Sequence, residues 1–72
     1  MELLIFKTDI KTKKKIKEVG SVFKNHPIIM NWSIDTEDID NVLRIEASGN
    51  LSEGEIIHLI TTCGFYCEAL PD

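Results

Sequence analysis

The order of hydrophobic periodicities along the chain is the feature that most constrains its fold. Two segments repeat apolar residues every three or four positions, as one face of a helix does, and four short segments have the continuous or alternating apolar pattern of strands. The chain has only 72 residues, so these elements must share one small hydrophobic core. We therefore expect a single domain that spans residues 1–72.

The beginning of the chain predicts a strand followed by a helix. Residues 3–6 are continuously apolar, a length that suits a strand buried on at least one face. Thr12 can cap the helix that follows, because its hydroxyl can accept a hydrogen bond from an unpaired backbone N–H of the first turn. From Lys13 onward, the apolar stripe of this helix consists of Ile16, Val19 and Phe23.

The middle of the chain predicts a hairpin. Pro27 disfavours helical backbone in the residue before it, so the first helix should end near His26. Residues 28–34 and residues 42–47 both alternate apolar with polar side chains, which is the period of half-exposed strands. The acidic segment 35–41 connects them, and we expect the two strands to pair with each other.

The last part of the chain predicts a helix and a final strand. Ser52 and Glu55 match a capping box, in which the serine hydroxyl accepts from the Glu55 N–H and the glutamate side chain reaches back to the serine backbone. Gly64 suits the left-handed position that follows a helix end, and residues 65–70 follow as a strand. The apolar face of this second helix consists of Ile56, Leu59, Ile60 and Cys63.

The order βαββαβ predicts an α+β fold of the ferredoxin-like type, in which a four-stranded antiparallel sheet carries two helices on one face. The expected spatial order of the strands is 4-1-3-2. In this topology the loop after the first strand, the hairpin connection and the loop after the second helix all leave the sheet at the same end. We therefore expect a functional site at that end.

Four segments of the chain resemble the heavy-metal-associated domains of copper chaperones and metal-transporting ATPases. They are FKTDIKTKKKIKEV, IIMNWSID, VLRIEASG and IIHLITTCGFYCEAL, which together cover nearly the whole chain. The resemblance implies a βαββαβ sandwich that carries soft metal ions between partner proteins. The motif of that family, M-x-C-x-x-C on the loop after the first strand, supplies two thiolates that suit Cu(I) or Zn(II).

The metal motif is changed in this sequence at each of its defining positions. When the preceding strand is aligned with the family, Ile10 takes the place of the methionine, and Thr12 and Lys15 take the places of the two cysteines. Thr12 has no thiolate, and the Lys15 ammonium repels a cation. We therefore expect a degenerate loop without a metal cofactor. Phe65 matches the aromatic residue of the family and is expected to lie beside this loop.

Charge is segregated along the chain, although the formal net charge is only −4. Residues 1–24 contain seven lysines and three acidic residues, whereas residues 25–72 contain one arginine and nine acidic residues. This balance argues against nucleic acid as a partner. Lysines at a helix N-terminus are locally unfavourable, so they suit either a solvated surface or an anionic partner. The lysines concerned are Lys11, Lys13, Lys14 and Lys15.

The cysteines leave an alternative open, in which Cys63 and some other donor bind Cu(I) or Zn(II). The competing interpretation is core packing, because Cys63 ends the apolar face of the second helix and Cys67 faces inward from the last strand. We expect both thiols to be free, since the sequence has no sign of a secreted context. The spacing reveals no nucleophile–base pair or carboxylate pair, so we expect a binding module and no enzyme.

The sheet face away from the helices is expected to contain an apolar patch that suits an unknown protein partner or self-association. No stretch is long and apolar enough for a transmembrane helix, and the start lacks the pattern of a signal peptide. We therefore expect a cytoplasmic protein without a membrane partner. The residues expected in the patch are Leu3, Ile5, Tyr66 and Leu70.

Overall fold

The computed structural model describes residues 2–71 and contains the predicted elements in the predicted order. The four strands form one antiparallel sheet in the order β2-β3-β1-β4, which is the expected order 4-1-3-2 counted from the other edge. The ferredoxin-like α+β fold is therefore confirmed. The elements are β1 (Glu2–Thr8), α1 (Lys13–Lys24), β2 (Ile29–Asp35), β3 (Val42–Ala47), α2 (Glu53–Thr62) and β4 (Cys67–Ala69).

The hydrophobic core lies between the two helices and one face of the sheet. The predicted stripe of α1 and three of the four residues predicted for α2 supply its helical half, whereas Cys63, the fourth, is not part of this cluster. Trp32 adds an edge-to-face contact with Phe23, with ring centroids 5.4 Å apart. Burial of each large side chain contributes about 1.5–3 kcal/mol relative to exposure. The buried cluster consists of Phe6, Ile10, Val19, Phe23, Leu43, Ile45, Ala47, Leu51, Ile56, Ile60 and Cys67. Within residues 2–71, neither helix is long and apolar enough to cross a bilayer.

The last strand is shorter than the apolar pattern predicts. β4 has three residues, Cys67–Ala69, instead of the expected 65–70. The Phe65 N–H is still bonded to the Ile60 carbonyl at 3.2 Å, so this part of the chain belongs to the end of α2. By contrast, β1 is longer than the expected 3–6, because it pairs with β3 on one side and with β4 on the other.

Both predicted helix starts are confirmed by their caps, although half of the capping box is wrong. Thr12 Oγ1 accepts from the Lys15 N–H at 3.2 Å, and Ser52 Oγ accepts from the Glu55 N–H at 3.1 Å. The Glu55 carboxylate does not reach back to Ser52, because it bonds to Nε2 of His26 at 2.6 Å. This contact ties the connection after α1 to the start of α2.

Replacing Ser52 by Ala should lower the free energy of unfolding by about 0.5–2 kcal/mol, because the Glu55 N–H loses its acceptor. Ser52→Asp is the matched control, since it keeps an acceptor at the cap and should remain close to the wild type. Urea denaturation followed by circular dichroism measures both variants. Equal stability of the alanine variant and the wild type would contradict the cap.

Candidate functional site

Three loops meet at one end of the sheet, as the topology predicts. They are residues 9–12 between β1 and α1, residues 36–41 between β2 and β3, and residues 63–66 between α2 and β4. We call this region the loop end. We include in it the first turn of α1, so that it holds Thr12 and Lys15, the positions that the family resemblance aligns with the cysteines of the metal motif, and it is the candidate functional site.

The first connection at the loop end joins β1 to the hairpin. Thr8 is buried, and its hydroxyl donates to the Asn41 carbonyl at 2.6 Å while accepting from the Ile10 N–H at 3.2 Å. Asn41 has a φ of 44°, in the left-handed region that asparagine tolerates better than most residues. Ile10, which takes the place of the methionine, is fully buried in the core.

The second connection joins residues 9–12 to residues 63–66. Asp9 Oδ1 accepts a hydrogen bond from the backbone N–H of Tyr66 at 2.9 Å. The Tyr66 hydroxyl donates to Glu68 Oε2 at 2.8 Å. This bond to the carboxylate favours the protonated phenol and raises the pKa of Tyr66 above its ordinary value of 10.0.

The two positions that align with the cysteines are both engaged in contacts within the chain. The Thr12 hydroxyl caps α1, as described above. The Lys15 ammonium lies 5.9 Å from the centroid of the Phe65 ring, within the range of a cation–π contact. Such a contact at an exposed site contributes roughly 0.5–1 kcal/mol. The expected position of Phe65 beside the loop agrees with this geometry.

The other lysines of the predicted partner site are close to Lys15 in the sequence. Lys11, Lys13 and Lys14 are exposed, and the first turn of α1 contains no acidic residue. Among residues 2–71, the only lysine with a carboxylate oxygen within 4.0 Å is Lys7, whose Nζ lies 3.6 Å from Asp40 Oδ1. The start of α1 therefore presents cations that the neighbouring acidic hairpin does not neutralise by direct pairing.

The acidic hairpin stabilises its own turn. Asp35 Oδ1 accepts from the Glu37 N–H at 3.1 Å, and Asp38 Oδ1 accepts from the Asp40 N–H at 2.8 Å. Ile39 is 93% exposed at the tip. These two carboxylates are thus used as turn acceptors, and the hairpin lies at the same end of the sheet as the basic start of α1.

The two cysteines have different environments. Cys63 is half-buried at the C-cap of α2, and the φ of 91° at Gly64 confirms the predicted left-handed position. Cys67 is buried on β4 opposite Thr8, and burial raises the pKa of its thiol to about 11. A metal ion must displace the proton of a thiol to bind its sulfur, and the raised pKa makes that displacement less favourable at Cys67 than at an exposed cysteine. Both thiols are free, as expected.

Residues 2–71 contain no group of three or more His, Cys, Asp and Glu side chains arranged to hold an ion. His26 is bound to Glu55 at the end of the sheet opposite the loop end, and His58 is exposed on α2. Neither histidine belongs to a group of three such side chains within the described residues.

The sheet face away from the helices contains the four residues expected in an apolar patch, and we call it the open face. Leu3 and Tyr66 are about half exposed, at 51% and 50%. The patch is not purely apolar, because β3 places Arg44 opposite Ile5 and Glu46 opposite Leu3. Use of this face as an interface stays a prediction. The four residues are Leu3, Ile5, Tyr66 and Leu70.

The residues that hold the loop end together were not identified from the sequence. Thr8 did carry a signal, because it lies two positions after Phe6 on the inward side of β1, where a polar residue needs an internal partner. Asp9 and Asn41 carried only the weak signal of short polar side chains next to a strand. Their partners lie on other loops and could not be inferred from spacing.

The fold is shared with solved structures of metal-homeostasis proteins, although no family model and no curated protein sequence matches this chain. One is a structure from work on crosstalk between Cu(I) and Zn(II) homeostasis, with a TM-score of 0.81, 6% identity and coverage of 97% of this chain and 100% of the other. Another is the yeast copper transporter domain in its apo and Cu(I)-loaded states, with a TM-score of 0.83, 16% identity and coverage of 100% and 99%. These likenesses support a fold of the heavy-metal-associated type.

Tyr66 offers a spectroscopic test of the loop end, because it is the only tyrosine in the sequence. Ultraviolet absorbance of the phenolate should give a pKa above 10.0 for the wild type and a lower pKa for Glu68→Gln. A pKa raised in the folded state stabilises the protein below the unfolded-state pKa, and this stabilisation is lost as pH rises through the folded pKa.

The matched control for this titration is Glu53→Gln, which removes a carboxylate at the start of α2 and should leave the pKa of Tyr66 unchanged. If the Tyr66 pKa were the same in the wild type and in Glu68→Gln, the hydrogen bond between the phenol and the carboxylate would be rejected.

Proposed function

We propose that this chain is a non-enzymatic binding module of heavy-metal-associated type, whose former metal loop docks a protein partner through carboxylates on the partner. The observation that carries the proposal is the state of the two aligned cysteine positions. Thr12 is a helix cap, and Lys15 packs on Phe65. The loop end thus has no thiol in the metal motif and has a cation in its place.

Electrostatics favours an anionic ligand over a metal ion at this position. Two like charges about 4 Å apart repel by about 1 kcal/mol in water and by about 4 kcal/mol at an effective dielectric constant of 20. The Lys15 ammonium would repel Cu(I) or Zn(II) on this scale, and the positive end of the α1 dipole acts in the same direction. The same groups attract a carboxylate.

Three further lysines near Lys15 in the sequence favour an anionic ligand over a larger part of the surface. Lys11, Lys13 and Lys14 are exposed and lie where the helix dipole disfavours each cation by roughly 0.3–1 kcal/mol. Carboxylates of a partner would relieve this repulsion and would also accelerate association. The acidic hairpin beside them would repel a partner that is acidic throughout, so it adds orientation to the docking.

Copper or zinc binding through Cys63 is the alternative function. It is favoured by the fold, which this chain shares with a copper transporter domain solved in a Cu(I)-loaded state, and by the half-buried position of Cys63 at the loop end. The raised pKa of Cys67 disfavours this thiol as the second metal ligand. A further donor would have to come from elsewhere.

Cu(I) titration against a competing chelator under reducing conditions separates the two functions. The wild type should not bind Cu(I) tightly and stoichiometrically, because the motif thiols are absent. The double variant Thr12→Cys/Lys15→Cys is the positive control, and it should gain stoichiometric binding because it restores two thiolates and removes the ammonium.

Cys63→Ser is the matched control for the metal alternative. Tight binding by the wild type that disappears in Cys63→Ser would establish the alternative and reject the proposed function. Tight binding of Cu(I) that persists in Cys63→Ser would reject both the proposed function and metal binding through Cys63. A Zn(II) competition with the same three proteins repeats the comparison for the second metal.

The docking site can be tested with a peptide probe that has a short run of glutamates followed by neutral residues, since the hairpin would repel a probe that is acidic throughout. Lys13→Gln/Lys14→Gln should weaken binding by about 3- to 10-fold, corresponding to roughly 0.7–1.4 kcal/mol. Lys17→Gln/Lys24→Gln makes the same change in net charge farther along α1 and should weaken binding less. The difference should shrink as salt screens the charges. Equal weakening by the two pairs would reduce the effect to net charge and would overturn the docking site.

A further inference from the structure

The open face contains two exposed charges of opposite sign on one strand. Arg44 and Glu46 lie two positions apart on β3, so their side chains point to the same face. Neither residue forms an ion pair with another of residues 2–71, in which Lys7 pairs with Asp40 and His26 is hydrogen-bonded to Glu55. Arg44 is also the only arginine in the sequence.

The strand register places these charges in two rows of matching composition. Each row crosses three neighbouring strands and contains a small polar residue on β2, a charged residue on β3 and an aliphatic residue on β1. A shallow hollow of about 180 Å³ lies between the rows and is lined by residues of both and by Trp32. The first row is Asn31, Glu46 and Leu3, and the second row is Ser33, Arg44 and Ile5.

The two rows are self-complementary about a two-fold axis. Consider an axis that lies between two facing sheets, perpendicular to the strands and midway between the two rows. Rotation about this axis places the first row of one copy opposite the second row of the other copy. Glu46 then faces Arg44 of the second copy, and Leu3 faces its Ile5. Because the operation is symmetric, each of these contacts occurs twice.

We propose that the open face is a self-association surface, on which two copies of this chain pack sheet against sheet through these rows. Facing sheets pack about 10 Å apart with their strands within about 30° of each other, a separation that arginine and glutamate side chains can bridge. The proposal goes beyond the docking of an acidic partner, because it concerns a different surface and a different occupant.

The dimensions of the face favour a weak dimer over a small-molecule site. Ligand pockets usually enclose about 300–1,000 Å³, which is more than the hollow of about 180 Å³ offers. The chain measures 28 × 26 × 18 Å along its principal axes, and the two rows occupy only part of its sheet face. A contact confined to the two rows would bury less surface than the roughly 800 Å² per partner of a standard interface. We therefore expect a weak dimer that is populated only at high protein concentration.

Charge exchange on the full chain tests the proposal by sedimentation equilibrium at low salt. The wild type should show an average mass that rises with concentration towards that of a dimer. Arg44→Glu should stay monomeric because four carboxylates would meet at the interface, and Glu46→Arg should stay monomeric because four cations would meet. An equimolar mixture of the two variants should recover dimerisation close to that of the wild type, since every facing pair is then again an attractive pair of arginine and glutamate.

The double variant Arg44→Glu/Glu46→Arg exchanges the charges of the two rows. It should dimerise like the wild type, because each facing pair is still an arginine and a glutamate. Circular dichroism checks that each variant is folded. If a charge-reversal variant does not fold, the single variants Arg44→Gln and Glu46→Gln take its place. The glutamine variants should each weaken the dimer. A wild type that stays monomeric, single variants that dimerise as well as the wild type, or a mixture that stays monomeric would each overturn the proposal.

Discussion

The arrangement of the loop end depends on the two hydrogen bonds of the buried Thr8 hydroxyl. A hydroxyl buried without partners costs about 1–3 kcal/mol, and Thr8 avoids this cost by donating to the Asn41 carbonyl and accepting from the Ile10 N–H. One side chain therefore fixes the start of the loop after β1 and the end of the hairpin. Thr12 and Lys15 follow directly from that anchored backbone, so their positions are set before any ligand binds.

The proposed function assigns opposite electrostatics to the loop end of the same fold. In a thiolate loop, the metal ion joins the ligands; here a helix cap, an Asp9–Tyr66 hydrogen bond and a cation–π contact join the loops instead. These contacts use groups that the backbone already provides at the N-terminus of α1. In the proposed function, an ammonium at position 15 in place of a thiolate would reverse the sign of the ligand that the site prefers.

Local signals allowed the fold and the helix starts to be predicted, whereas contacts between distant segments could not be. Periodicity predicted the order of elements, and Thr12 and Ser52 were identified as caps because a cap bonds within one turn. Glu55 was misassigned because its partner His26 lies 29 residues away and competes successfully for the carboxylate. Likewise, no spacing rule connects Asp9 with Tyr66, which lies 57 residues further along the chain.

The two surfaces are compatible, because a two-fold axis that runs across the strands reverses their direction. In the dimer proposed above, the loop ends of the two copies would therefore point away from each other, at opposite ends of the packed sheets. Self-association through Arg44 and Glu46 would leave both sets of lysines accessible. A partner with two acidic segments could then engage both loop ends, and its second contact would form at an effective concentration set by the length of its linker.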